Sequence, residues 1–251
     1  MKAIRWSRGL LVFFIVLFLS SPLLAGGLPC KAVYGSGKRF AVATGSPGEL
    51  GLLEVLADRF NSRHGSQLCW IKAGSGKSLQ LLQNRIADAI MVHAPAAEKK
   101  AVQEGWAMNR TLIGSNEFYI VGPESDPAAI DSATSAADAY SRIAATKSPF
   151  LSRGDNSGTH KKEMAVWKQA GIDPSGDWYI VTKDFMMATL KKANQISGYF
   201  MTDSSTWVAG KKGLANLRVL FRGDPFLVNT YHGLCQPPGA TDGQPLAQKF
   251  L

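Results

Sequence analysis

The sequence predicts an α/β fold with a mainly parallel sheet. Short apolar runs with strand character alternate with segments whose apolar residues recur at helical spacing. The turns from strand into helix are rich in glycine and hydroxyl residues, as at Thr44-Gly45-Ser46, Ala73-Gly74-Ser75 and Ser152-Arg153-Gly154.

The elements follow in order. Residues 39–44 read as a strand, and 48–60 as a helix carrying Leu52, Leu53, Leu56 and Phe60 on one face. A strand over 67–72 precedes a helix over 78–85. A strand over 89–92 precedes a short helix over 96–103. The strand at 117–123 is stopped by Gly122-Pro123, and a polar helix follows near 135–146. Next come a strand at 150–151, a helix over 161–170 ended by Gly171, a strand over 178–182, a helix over 186–195 and a strand over 199–201. Runs at 219–221 and 226–228 lead back out. A helix begins after Pro245 with no stop signal before Leu251, which suggests that the natural chain continues.

Residues 1–25 read as a secretory signal peptide. Lys2, Arg5 and Arg8 precede an apolar run, and Leu23-Leu24-Ala25-Gly26 offers a cleavage site. The run is shorter than the roughly 20 residues that span a bilayer. The expected location is therefore the periplasm. Removing the leader takes three of 28 basic residues and none of 19 acidic ones, so 25 remain against 19 and the net charge is +6. The basic residues are scattered, with Lys-Lys pairs at 99–100, 161–162, 191–192 and 211–212. They read as solvated helix faces, and no nucleic-acid partner is expected. Three cysteines allow one bridge in an oxidising compartment. Cys69 lies in the apolar run Leu68-Cys69-Trp70-Ile71 and is expected to be buried, which leaves Cys30 and Cys235 as the expected pair. No Cys-x-x-Cys or His/Cys cluster points to a metal, and no cofactor is expected.

The stretch Ser152-Arg153-Gly154-Asp155-Asn156-Ser157-Gly158-Thr159-His160 carries the functional reading. Arginine offers a fork of donors that fits an oxyanion, and a helix start offers free backbone N–H groups and partial positive charge. Asp155 is placed to orient Arg153 or to cap the helix. The turn Thr44-Gly45-Ser46-Pro47-Gly48-Glu49 reads as a capping box, with Ser46 as cap, Pro47 at the first helical position and Glu49 behind it. The turn Ala73-Gly74-Ser75-Gly76-Lys77-Ser78 is a poor nucleotide P-loop, because Ile71 stands where that motif needs glycine. It suits an anion nest. Three such helix starts converging where strands end would hold a dianion with neutral donors. His93, before Ala94-Pro95, reads as a packed loop histidine rather than a metal ligand.

The stretch 152–162 resembles the periplasmic tungstate-binding proteins of ABC importers. So do Met91-Val92-His93-Ala94-Pro95-Ala96-Ala97-Glu98, Phe118-Tyr119-Ile120-Val121-Gly122-Pro123, and the stretches 167–174 and 199–207. The likeness runs from about 39 to 239. It implies a type II periplasmic binding protein with two α/β lobes joined by two crossing strands. Lobe one would cover 31–119 plus 227–251, and lobe two 120–226. By that resemblance Thr44, Ser46, Ser75, Arg153 and Thr159 occupy ligand-contact positions, with backbone near Gly76 and Gly158. Ser157 of the same loop joins this expected set. The family typically carries Thr-Thr-Thr-Ser in the first loop, whereas this chain has Ala43-Thr44-Gly45-Ser46.

The resemblance implies a monomeric, non-enzymatic solute-binding protein that captures a tetrahedral oxyanion, tungstate or molybdate, and delivers it to an ABC permease in the inner membrane. Phosphate or sulfate binding by the same fold is the alternative. A ligand-sensing module, or a secreted phosphatase or sulfatase, ranks below both. Ser157 beside His160 is the one nearby nucleophile-and-base pair, and its spacing gives no triad.

Overall fold

The computed structural model describes residues 30–251; the leader over 1–25 lies outside them. The first lobe begins with β1 (Ala32–Gly35), β2 (Lys38–Thr44), α1 (Ser46–Glu49), α2 (Leu52–His64), β3 (Ser66–Lys72), α3 (Ser75–Gln83), β4 (Ala89–Val92) and α4 (Pro95–Gln103). The long strand β5 (Met108–Pro123) then leaves it. The second lobe follows with α5 (Ala136–Thr146), β6 (Phe150–Ser152), α6 (Gly158–Gln169), β7 (Tyr179–Val181), α7 (Met186–Ile196), β8 (Tyr199–Asp203), α8 (Ser204–Gly210) and β9 (Leu217–Phe221). Strand β10 (Val228–Cys235) returns to the first lobe, which α9 (Gln244–Phe250) completes.

In the first lobe β2 lies parallel between β3 and β4. Both faces of this sheet are covered, so side chains alternate between two cores rather than between core and water. Phe40 and Val42 of β2, Leu68 and Trp70 of β3, and Ala89 and Met91 of β4 pack beneath α2 and α9 with Leu53, Ala57 and Ala247. Their neighbours Ala43, Cys69, Ile71, Ile90 and Val92 face α3 and α4 with Leu79, Leu82 and Ala101. The second lobe has one core. Tyr140, Phe150 and Trp167 meet at its centre, the Tyr140 and Trp167 rings 4.3 Å apart.

Two strands tie the lobes together. From Met108 to Glu117, β5 pairs antiparallel with β10; from Phe118 onward it pairs with β8 and β9 of the second lobe. The register places Asn229 opposite Asn116 and Val228 opposite Glu117, where the chain passes between lobes. Core residues of the second lobe run from Phe118 to Leu227.

The expected helix over 48–60 is two, because Gly51 takes a left-handed φ of 85° and turns the chain between α1 and α2. The run at 226–228 is mostly a 3-10 turn (Pro225–Leu227) that leads into β10. The disulfide joins Cys30 to Cys69, not Cys30 to Cys235. Antiparallel pairing of β1 with β3 brings the two Cα atoms within 5.4 Å, with Lys31 N–H donating to the Trp70 carbonyl at 2.7 Å. Cys235 points to the other core, under α2 and α9, and its thiol is free and buried. Burial pushes its pKa to about 11.

Because the bridge closes a loop with a sequence separation of 39, Cys30→Ser should lower stability by about 4 kcal/mol in the chain-entropy model. Denaturant titration checks this. Thiol counting on the unreduced protein should give one thiol, Cys235, which alkylates only after unfolding.

Candidate anion site

The first loop is built on Trp70. Its indole N–H donates to the Thr44 carbonyl at 2.9 Å, and Gly48 lies against the ring, where a Cβ would come within 2.2 Å of Cε2. Only glycine fits there, so α1 starts flat on the indole. The capping box expected here does not form. Gly45 is the cap residue without a side-chain bond, and Glu49 instead holds Lys72 at 2.6 Å. The Ser46 side chain is thereby left to line the cleft.

The second loop runs from β3 through Gly74 into α3. Ser75 is buried and its hydroxyl oxygen accepts from His93 N–H at 3.3 Å, which leaves the hydroxyl hydrogen to donate. In the third loop Ser157 caps α6 by accepting from His160 N–H at 3.3 Å, and its hydrogen is free in the same way. Gly154 and Asn156 take left-handed φ of 57° and 58°, which bends this loop back over the end of β6. A Cβ on Gly154 would meet Val181 at 2.2 Å.

Asp155 both orients Arg153 and braces the helix start. Its Oδ2 accepts from Arg153 Nη2 at 2.6 Å and its Oδ1 from Ser157 N–H at 3.1 Å. Arg153 Nε donates to the Asp184 carbonyl at 3.1 Å. The guanidinium is 4% exposed and keeps Nη1 without a protein partner among the described residues.

These pieces enclose a small cavity between the lobes, lined by Ser46, Ser75, Arg153 and Ser157 together with His93, Phe185 and Tyr231. Of the other expected ligand residues, Thr44 is fully buried, its hydroxyl donates to the Met91 carbonyl at 2.8 Å, and it is not among the residues that line the cavity. Thr159, in the first turn of α6, is fully buried, and its hydroxyl has no hydrogen-bond partner among the described residues. Gly76 and Gly158 form contacts between the lobes. A Cβ on Gly76 would sit 2.5 Å from the Asn156 carbonyl oxygen, and one on Gly158 would sit 2.6 Å from the His93 ring.

Sequence reasoning missed Phe185 and Tyr231 and placed His93 only as packing. His93 does follow a strand end and precede a helix, the same kind of turn as the three loops that were singled out. Its protonation state can be derived. Asn116 Nδ2 donates to Ser205 Oγ at 2.9 Å and faces the Asp203 carboxylate at 3.4 Å, which can only accept. Asn116 Oδ1 then accepts from Asn229 Nδ2 at 2.7 Å. Asn229 therefore turns Oδ1 to His93 Nδ1, 2.9 Å away, so Nδ1 carries the hydrogen and Nε2 a lone pair. Burial above all, and then nearby Arg153, lowers the His93 pKa to about 4. The ring is neutral at pH 7, and Arg153 is the charged group in the cavity wall.

The match to known proteins is specific. A model of the PBP superfamily domain covers residues 32–251. The tungstate-binding protein TupA of Peptoclostridium acidaminophilum is 34% identical over 197 residues, 78% of this chain and 68% of that protein. The chain belongs to the family of the tungstate-binding proteins of ABC importers. A Haloferax volcanii protein named for anion binding in ABC transport is 35% identical over 204 residues, 80% of this chain, which spans 60% of that protein's length. The crystal structure of the tungstate ABC transporter from Geobacter sulfurreducens superposes with a TM-score of 0.75 at 35% identity, covering 86% of this chain and 93% of that one. The fold is thus the type II periplasmic binding fold, and the family is one of solute-binding proteins rather than enzymes.

Beneath the third loop lies a buried acid that no expectation included. Glu163 of α6 is 1% exposed and accepts from Tyr179 Oη at 2.6 Å. Burial raises its pKa to about 7, although the Tyr179 and Ser152 hydroxyls and the Arg153 backbone N–H pull the other way. The folded state therefore keeps a proton that the unfolded chain releases near 4.5, the ordinary value for a glutamate. Glu163 thus makes stability fall as pH rises from about 4.5 to about 7. Glu163→Gln should remove that fall while leaving His93's opposite contribution, a gain in stability as pH rises from about 4 to 6.5. Urea titrations across that range, wild type against variant, check the sign.

Proposed function

We propose that the protein captures a fully ionised tetrahedral oxyanion, tungstate or molybdate, between its lobes and hands it to an ABC permease of the inner membrane. The proposed location is the periplasm, reached through cleavage of the leader. One observation carries the reading: serine hydroxyls from both lobes and the Arg153 guanidinium line one cavity whose lining residues include no acid. Asp155, between the lining residues Arg153 and Ser157, has both oxygens engaged by Arg153 and Ser157 N–H. Donors held in place by their neighbours favour a ligand that only accepts, since burying an unpaired donor or acceptor is costly. Ser46, Ser75, Arg153 and Ser157 are the proposed direct contacts, with the backbone of Gly76, Gly158 and Thr159 as support and Thr44 shaping the first loop from behind.

Phosphate is the second reading, and His93 favours it. A lone pair on Nε2 could accept the proton that phosphate still carries near neutral pH.

Thermal unfolding of residues 26–251 with tungstate, molybdate, sulfate or phosphate, at matched ionic strength, separates these readings. A ligand bound only by the folded state adds about 2.7 kcal/mol at a hundred times its Kd. Stabilisation by tungstate or molybdate is expected. A shift with phosphate alone would move the substrate, and silence with all four would overturn oxyanion capture. In the same assay Arg153→Ala should weaken binding roughly a hundredfold, with Arg153→Lys intermediate, because a charge-assisted contact held in place by Asp155 and the Asp184 carbonyl is lost.

A further inference from the structure

Helix α6 of the second lobe lies against the turn between β4 and α4, and His93 is at that contact. The Cβ direction of Gly158 ends 2.6 Å from Cδ2, Cε1 and Nε2 of the His93 ring. Equal distances to three atoms of a planar ring place that point over the ring face, not at its edge. The Tyr231 ring of β10 is stacked on His93 at 4.5 Å and 15°. The imidazole is thus held between Tyr231 and the backbone of Gly158.

The turn carrying His93 is bolted to both crossing strands. His93 Nδ1–H bonds Asn229 of β10, and Asn229 bonds Asn116 of β5. Five residues on, the Glu98 carboxylate accepts from Ala94 N–H at 2.6 Å and from Arg110 of β5 at 2.9–3.0 Å, and lies 3.0 Å from His232 of β10. Two further close approaches between the lobes, Gly74 to Ser157 and Gly76 to Asn156, involve loops without a tie to the crossing strands among the described residues.

We propose that His93 is the positioning residue of anion capture: fixed by the Asn229–Asn116 pair that joins the crossing strands, its ring is the seat on which Gly158 comes to rest, and it sets where the Arg153–Ser157 loop stops relative to Ser46 and Ser75. His93 acts through Gly158 and need not touch the ligand. Glycine at 158 is required by this seat, because the first carbon of any side chain would enter the ring.

Sodium tungstate is the probe for residues 26–251, and the affinity readout rests on the function proposed above. Gly158→Ala should weaken tungstate binding at least about tenfold through overpacking at the seat. Adding His93→Ala should restore the double variant to within about threefold of His93→Ala alone, since the obstruction is then gone. Small-angle scattering should show Gly158→Ala more expanded than wild type, and the double variant compact again. Nitrogen-15 spectra of the histidines should show His93 as the Nδ1–H tautomer, and Asn229→Ala should release that preference. A loss of affinity in Gly158→Ala that persists unchanged without the imidazole would overturn the proposal, as would an Nε2–H tautomer. If wild type binds no anion the proposed function fails, while scattering and tautomer still decide the seat.

Discussion

The antiparallel pairing of β5 with β10 is the constraint on which the molecule depends. Each lobe is packed on its own, with two cores in the first and one in the second, and none of the three crosses the line marked by Phe118 and Leu227. What fixes one lobe against the other is a ladder of two strands at Asn116 and Asn229. A side-chain amide bond at that point, 2.7 Å long, adds a directional link that backbone pairing alone would not give. A hinge made this way can bend without either core being opened, which suits domain closure around a ligand.

The cavity's electrostatics follow from where each carboxylate is used. Asp155 is consumed by Arg153 and Ser157 N–H, Glu49 by Lys72, and Glu98 by Arg110 and the helix start beside His93. Each acid organises a loop, and none of the three is among the residues that line the cavity. The guanidinium gives up part of its charge to Asp155, but gains a fixed orientation, and fixed donors lose little entropy when an anion arrives. Lys72, held 4.1 Å from the centre of the Phe185 ring, adds a cation–π contact between lobes.

Much of the fold was legible because the first lobe's strands carry strong signals. Apolar runs such as Leu68-Cys69-Trp70-Ile71 and Ala89-Ile90-Met91-Val92 are buried on both faces. The crossing strands were not legible over most of their length. Residues 108–117 of β5 are mostly polar and partly exposed, and residues 229–233 of β10 are polar although Asn229, His232 and Gly233 are buried, so neither stretch has an apolar face to repeat. The three anion loops could be read from glycine and serine at helix starts. Tyr231 and Phe185 could not, because each enters the cleft from an element whose own pattern is ordinary. The cysteine pairing failed for a related reason: an apolar run argues burial, but only the register of β1 on β3 shows which thiols meet.

The departure in the first loop takes on meaning against this frame. The proteins this chain resembles typically carry Thr-Thr-Thr-Ser there, and this chain has Ala43 and Gly45 in place of two of those threonines and follows Ser46 with Pro47 and Gly48. The lost hydroxyls are not compensated by Thr44, whose own hydroxyl is tied to the Met91 carbonyl. What replaces them is geometry: Gly48 settles onto the Trp70 indole, the indole bonds the Thr44 carbonyl, and Ser46 is turned into the cleft at the start of α1. Under the proposed function, a donor set of serines and one arginine would recognise charge and tetrahedral shape more than the identity of the central atom. Selection among oxyanions of equal charge then falls to the radius at which the lobes stop closing, and in this chain that distance is set where Gly158 meets the ring of His93.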